Sequence, residues 1–268
     1  MALDPRRVGP WALVTGASSG IGEAFARRLA KEGLSLVLVA RRSAALERLA
    51  SALRTAHGIE TRVVTLDLST EGAIAALVAH VGDRDVGLVV SNAGTGHPGA
   101  FVKSDPDAER AVIRLNVTSP MELARAFAPR LVARKRGGII FVSSAMAFQG
   151  TPYMANYAAT KAYLLVLGES LHEELKPNGV DVVVVAPGAT DTPGKNLHPI
   201  DYAKLPIDWM SPEVVVDSAL GSLGRRAVIV PGARNHLVAC LGSGLWTRSR
   251  VAALLGEFAR RAIPAERL

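Results

Sequence analysis

Continuous runs of Val, Ile and Leu at residues 11–15, 35–40, 62–66, 87–91, 138–142, 180–186 and 227–230 read as seven strands buried on both faces. Between them the apolar positions change to a spacing of three and four. That spacing predicts helices over 20–31, 44–56, 71–81, 107–133, 155–176 and 212–224. Strands alternating with helices imply right-handed crossovers, so the expected fold is α/β: a doubly wound sheet of seven parallel strands with helices on both faces.

Local punctuation agrees with this pattern. Ser69-Thr70-Glu71, Asp105-Pro106-Asp107 and Ser211-Pro212-Glu213 have the composition of helix starts, with Pro in the latter two where its missing N–H costs nothing. Gly33, Gly58, Gly82 and Gly179 follow helices as expected C-terminal caps. No repeat or linker divides the chain, which predicts one domain over residues 1–268, with a core at about 11–232 and a helical extension at about 233–268.

Two stretches break the alternation. Residues 192–210 contain Pro193, Gly194, Pro199 and Pro206, the composition of a long loop placed over a site as a substrate lid. Beyond Pro231 the chain mixes apolar residues with Arg248, Arg250, Arg260 and Arg261. Its longest apolar run is about ten residues, short of the roughly twenty that span a bilayer, so packing on the body or on a second subunit is expected, with membrane-surface contact as the alternative.

Composition narrows the function classes. At 268 residues and 49% apolar content the chain can bury a large core. The net charge of +7 is scattered in short pairs such as Arg27-Arg28 and Arg260-Arg261, and aromatics make up only 5%, which argues against nucleic acid. A single cysteine, Cys240, excludes an intrachain disulfide and reads as a small buried apolar residue. With no apolar segment after Arg6 and Arg7 long enough for a signal peptide, a cytoplasmic location is expected. The six histidines are far apart in sequence and Cys-x-x-Cys does not occur, so no metal is expected.

The chemistry-bearing residues form one set. Thr15-Gly-Ala-Ser-Ser-Gly-Ile-Gly22 joins the first strand to the first helix, where glycines permit a tight turn and free helix N–H groups meet a pyrophosphate. Tyr157 and Lys161 stand at i and i+4 of a predicted helix, so a phenol and an ammonium share one face. A cation held there favours phenolate and is expected to bring the tyrosine below its usual pKa. Of Ser143 and Ser144, strand alternation lets only one face the site.

The run 15–22 resembles the TGxxxGIG motif of the short-chain dehydrogenase/reductase family. The resemblance continues in family order through Asp67, Asn92-Ala93-Gly94, Asn116, Ser144, Tyr157-x-x-x-Lys161 and Pro187-Gly188 with Thr192, spanning residues 12 to 192. It implies a Rossmann fold and an oxidoreductase moving a hydride between NADP(H) and an apolar carbonyl or secondary alcohol. Tyr157 would be the general acid or base, Lys161 would lower its pKa and hold the nicotinamide ribose, and Ser144 would bind the substrate oxygen. Asn116 would distort its helix and hold a water behind the lysine.

Cofactor contacts are expected at Gly16, Ser18, Ser19, Gly20, Ile21 and Gly22, and along the adenosine at Asp67, Leu68, Asn92, Ala93 and Gly94. Pro187, Gly188, Thr190 and Thr192 would hold the nicotinamide end, with transfer from the pro-S face. At the end of the second strand Ala40 supplies no acid to pair a 2′-hydroxyl, while Arg41 and Arg42 suit a 2′-phosphate, which favours NADP. Tyr153 is expected to line an apolar substrate pocket with Ala100, Phe101, Met146, Phe148 and Trp209. Candidate substrates are a hydrophobic ketone, a 3-oxoacyl thioester or a steroid-like carbonyl. His97 and His198 lie in loops bordering that pocket. The family resemblance further implies a homodimer or homotetramer built on the two long helices. A non-catalytic NADP-binding regulator on the same fold is the alternative.

Overall fold

A computed structural model describes residues 5–197, 200–205, 207–233, 235–236 and 247–268. Expectations placed on His198, Pro199, Pro206, Cys240 and the apolar run 237–246 lie outside the described residues.

The strands are β1 (Trp11–Thr15), β2 (Ser35–Ala40), β3 (Thr61–Thr65), β4 (Val86–Ser91), β5 (Gly137–Val142), β6 (Val180–Val185) and β7 (Val228–Ile229). They form one parallel sheet in the order β3-β2-β1-β4-β5-β6-β7. Alternating side chains divide each strand between two cores. Val14, Leu36 and Leu38 face Phe25, Leu29 and Leu46, whereas Leu13, Val37 and Val39 belong with Leu77, Phe127 and Leu164. Both faces are apolar because both are covered, which is why the strands read as unbroken hydrophobic runs.

The helices are α1 (Pro5–Val8), α2 (Gly20–Lys31), α3 (Ser43–His57), α4 (Ala73–Val81), α5 (Pro106–Ile113), α6 (Ser119–Arg134), α7 (Ala155–Leu175), α8 (Pro212–Ser222) and α9 (Arg248–Ala262). Three differ from the expected spans by two residues or more, one of them α8, which stops at Ser222 rather than at Gly224. The third long helix opens at Ala73 rather than Glu71, because Asp67 accepts from the Ser69 amide and hydroxyl and Gly72 is left-handed at φ 73°. The predicted helix 107–133 is two helices, α5 and α6, joined by a π-helical turn over Arg114–Thr118. Asn116 lies buried in that turn.

The chain order reverses between β1 and β4, each of which feeds a loop at its carboxyl end. Ligands of such sheets bind in the crevice this reversal opens. The residues 15–22, 92–94, 143–144 and 187–192 all follow strand ends there.

Candidate active site

β1 ends at Thr15, and the turn after it is left-handed at Gly16 (φ 67°) and at Gly20 (φ 59°). A side chain on Gly22 would put its Cβ 2.2 Å from the Gly16 carbonyl, so the helix closes on the turn only because that position is bare. The Asn92 amide donates to Thr15 O at 2.9 Å, and Thr15 Oγ1 accepts from the backbone N–H of Asn92 and of Ala93 at 2.9 and 3.0 Å. Asn92 thus braces the turn. Thr15, to which sequence reasoning gave no role, is the centre of that brace. The bare turn at the N-terminus of α2 fits a dinucleotide pyrophosphate.

Beyond the turn, Arg42 donates to Ser18 Oγ, to Ser18 O and to Ser19 Oγ at 3.0, 3.1 and 2.7 Å. Its guanidinium stands over the turn beside Ala40, the last residue of β2. Arg41 lies 3.8 Å from Asp67. Burial alone would push the Asp67 carboxyl up, but the Ser69 amide and hydroxyl, with Arg41 nearby, hold it below its ordinary value. Leu68 beside it is buried. The acid is therefore charged, with one oxygen held by Ser69.

The first turn of α7 carries Tyr157, and Lys161 follows one turn later. Lys161 is buried, donates from Nζ to Val142 O at 2.9 Å and stands 5.7 Å from the centre of the Tyr157 ring. Ser143 turns its hydroxyl to Lys161 O at 2.7 Å, whereas the Ser144 hydroxyl is hydrogen-bonded to the Tyr157 phenol. The two serines are thereby separated as strand alternation requires. Gly96 packs on the phenol ring, where an added Cβ would lie 2.5 Å from Tyr157 Cδ2.

Asn116 connects the other elements. Its amide donates to Thr95 O at 2.8 Å and to Thr160 Oγ1 at 3.0 Å, and its Oδ1 accepts from Thr95 N at 3.0 Å. Thr160 in turn donates to Tyr157 O at 2.7 Å. The π turn supplies the extra residue that aims Asn116 inward, and one buried amide then fixes both the 94–96 loop and the start of α7. Thr95 and Thr160 were missed in the sequence, since neither belongs to a motif.

The electrostatics differ from the expectation for the pair. Tyr157 is only half-buried by surface, yet desolvation dominates and pushes its pKa up, with the Ser144 hydrogen bond opposing. Lys161 is itself brought down to about 8 by burial. The buried ammonium spends a donor on Val142 O, and the phenol keeps its proton rather than tending to phenolate.

On the far side of the crevice Pro187 O accepts from Ala145 N at 2.8 Å, and Thr190 donates to Gly188 O at 3.1 Å. Thr192 reaches across to the turn: a Cβ on Gly20 would lie 2.9 Å from its methyl. Thr190 and Met210 form a bridge that ties down both ends of the 192–210 stretch. Within it Tyr202 and Trp209 stack edge to face at 5.1 Å.

α9 packs on its own chain, across the loops expected to surround the substrate. Gln149 donates to Arg248 O at 2.5 Å, Asp201 N to Ala262 O at 2.9 Å, and Ala100 N to Arg267 O at 2.7 Å. Gly256 meets Pro152, with 3.1 Å between an added Cβ and the proline ring. Tyr153 sits in the left-handed region at φ 64°, and its carbonyl accepts from Gly99 at 2.9 Å. Among the described residues no helix is long and apolar enough to cross a membrane, and no group of His, Cys, Asp or Glu is placed to hold a metal.

A parallel α/β sheet with a glycine turn at its chain reversal and a Tyr-Lys-Ser group beside it defines a nicotinamide-dependent oxidoreductase class. The short chain dehydrogenase family model matches residues 10–199, and the protein belongs to that family. A very-long-chain 3-oxoacyl-CoA reductase of Podospora anserina is 33% identical over 242 residues, covering 87% of this chain and 63% of that enzyme. A 7beta-hydroxysteroid dehydrogenase of Collinsella aerofaciens is 33% identical over 234 residues, covering 85% of this chain and 88% of its own.

Among solved structures, a 7beta-hydroxysteroid dehydrogenase superposes with a TM-score of 0.88 at 28% identity, over 95% of this chain and all of that one (100%). A short-chain dehydrogenase of Sphingobium yanoikuyae in complex with NADPH gives 0.77 at 35% identity over 94% of both chains.

Proposed function

We propose that the protein is an NADP(H)-dependent reductase of bulky apolar ketones, of steroid or long-chain 3-oxoacyl type, reversible with the corresponding secondary alcohol. The observation that carries this reading is the grouping at the crevice of the Tyr157 phenol with Ser144 beside it, the buried Lys161 5.7 Å from its ring, and Asn116 joined through Thr160 to the Tyr157 carbonyl. Asn116, Ser144, Tyr157 and Lys161 form the catalytic group. When bound, the nicotinamide supplies the hydride that adds to the carbonyl carbon.

Ser144 and Tyr157 donate to the carbonyl oxygen, and the Tyr157 proton moves onto it as the alcohol forms. Lys161 donates to the ribose, while Thr190 and Thr192 hold the carboxamide. Gly16, Ser18, Ser19 and Ile21 meet the phosphates through the turn and the α2 N-terminus. Asp67 and Leu68 take the adenine, and Arg42 with Arg41 takes the 2′-phosphate. The protein acts as one dinucleotide-binding domain with a C-terminal helical cover, in the cytoplasm.

The test is oxidation of NADPH against NADH over a ketone panel. The parent consumes NADPH preferentially. In Ala40→Asp/Arg42→Ala the KM for NADPH rises about 10- to 100-fold, as expected for a lost charge-assisted contact plus a repelling acid. Equal use of both cofactors by parent and variant would remove the cofactor assignment.

We further propose a dimer through the α6 and α7 faces, because Met121, Tyr163 and Val166 are left exposed there, Val166 at 62%. Val166→Arg is expected to convert the dimer to monomer in light scattering. A parent that elutes as monomer would exclude the interface.

A further inference from the structure

Tyr153 also lines a cavity of about 440 Å³, walled by Ala100, Phe101, Pro152, Ala252 and Gly256, with Arg260 at its exposed rim. Arg260 is the charged member of an otherwise apolar lining. Its neighbour Arg261 is paired with Glu257 one turn back. Arg260 itself has no hydrogen bond or ion pair with any described residue. Phe101 and Val102 at the same wall are 65% and 90% exposed, large side chains left in water while the cavity is open.

The 96–102 loop connects this cavity to the reacting group. Gly96 lies against the Tyr157 ring, Gly99 is hydrogen-bonded to Tyr153, and Ala100 to Val102 form the wall. The same loop thus touches both the Tyr157 ring and the cavity wall, and an elongated substrate laid along it from Tyr157 would end at α9. The apolar wall suits a hydrophobic body, and one planar guanidinium suits the two oxygens of one carboxylate. The several phosphates of a nucleotide thioester would call for more than one such cation.

We infer that Arg260 determines specificity by holding a carboxylate at the end of the substrate remote from the reacting carbonyl. This rests on the carbonyl-reductase reading above. The preferred substrate is thus an amphipathic keto acid rather than its neutral ester or thioester.

The experiment compares a keto steroid bearing a carboxylated side chain with its methyl ester. Both are followed by NADPH-dependent kcat/KM and, independently, by fluorescence titration of the NADP⁺-loaded protein. The parent is expected to favour the acid at least 10-fold, through KM and binding rather than kcat. In Arg260→Gln that ratio falls to about 1, while Arg261→Gln keeps the parental ratio. An unchanged ratio in Arg260→Gln, a parent indifferent to acid and ester, or an Arg260-dependent preference for the coenzyme A thioester would each overturn the inference. Arg260-dependent binding of the acid without turnover would uphold the anchor and sink the reductase reading. Turnover with no acid preference would do the reverse.

Discussion

Tyr157→Phe will bind NADPH as the parent does and reduce ketones about 10²- to 10⁴-fold more slowly, the usual share of a positioned general acid. The ring is held from several sides: Gly96 packs on its face, and α7 is anchored through Thr160 to Asn116. Removing one oxygen should leave that packing intact, so the loss falls in kcat and thermal stability changes little. Ser144 loses its phenol partner in the variant but keeps the Met146 amide as a donor to its hydroxyl oxygen. Stopped-flow measurement of NADPH oxidation, with cofactor titration on the same sample, checks both halves. A variant as fast as the parent would leave the protein without the acid assigned to it, and a non-catalytic NADP-binding role would then be favoured.

Lys161→Met is expected to stabilise the cofactor-free protein at pH 7, by about 1–3 kcal/mol, while abolishing reduction. The lysine is buried and its pKa falls from an ordinary 10.5 to about 8 because burial disfavours the charged form. Below about pH 8 it is protonated in the folded and unfolded chains alike, and the full desolvation penalty is present. Between about 8 and 10.5 the folded chain gives up the proton while the unfolded chain keeps it, so the parent gains stability as pH rises. The advantage of Lys161→Met therefore narrows across that window. The methionine fills much the same space, and the cost is a Val142 carbonyl left without its 2.9 Å donor. Urea unfolding at pH 7 and pH 9.5 measures the difference. A variant less stable than the parent at pH 7 would mean that the ammonium is well solvated in its site.

Much of this site was legible because its parts sit where local rules are strict. Gly22 must be bare, the step from strand to helix must come at Thr15, and a phenol and an ammonium one turn apart must share a helix face. The two cores were equally visible, since a strand buried on both sides cannot contain a polar residue without a partner. The π turn at Arg114–Thr118 was not readable from spacing, because the 107–133 stretch keeps a helical period to either side of one inserted residue. The pKa of Tyr157 was misjudged for a different reason. Spacing shows that a cation is near, but burial depends on Gly96, Ser144 and the whole of the 94–96 loop, which are distant in sequence. The helical extension expected at about 233–268 contains α9, but its bounds were not readable, because the tail is arginine-rich and its Gly256 weakens helix propensity by about 1 kcal/mol relative to alanine. Its reason is the contact with Pro152, a residue from the middle of the chain.

The stitch from Ala100 N to Arg267 O bears on how the protein is made. Synthesis runs from the N-terminus, and α/β units can dock as they emerge. The glycine turn, β4 and the Arg42 clamp are complete while the ribosome is still working on later helices. The Gln149 side chain receives its partner only after residue 248 has been added, and the 99–103 loop only after residue 267. On a nascent chain the glycine turn and its braces are thus assembled while the crevice they border is still open on the side of α9.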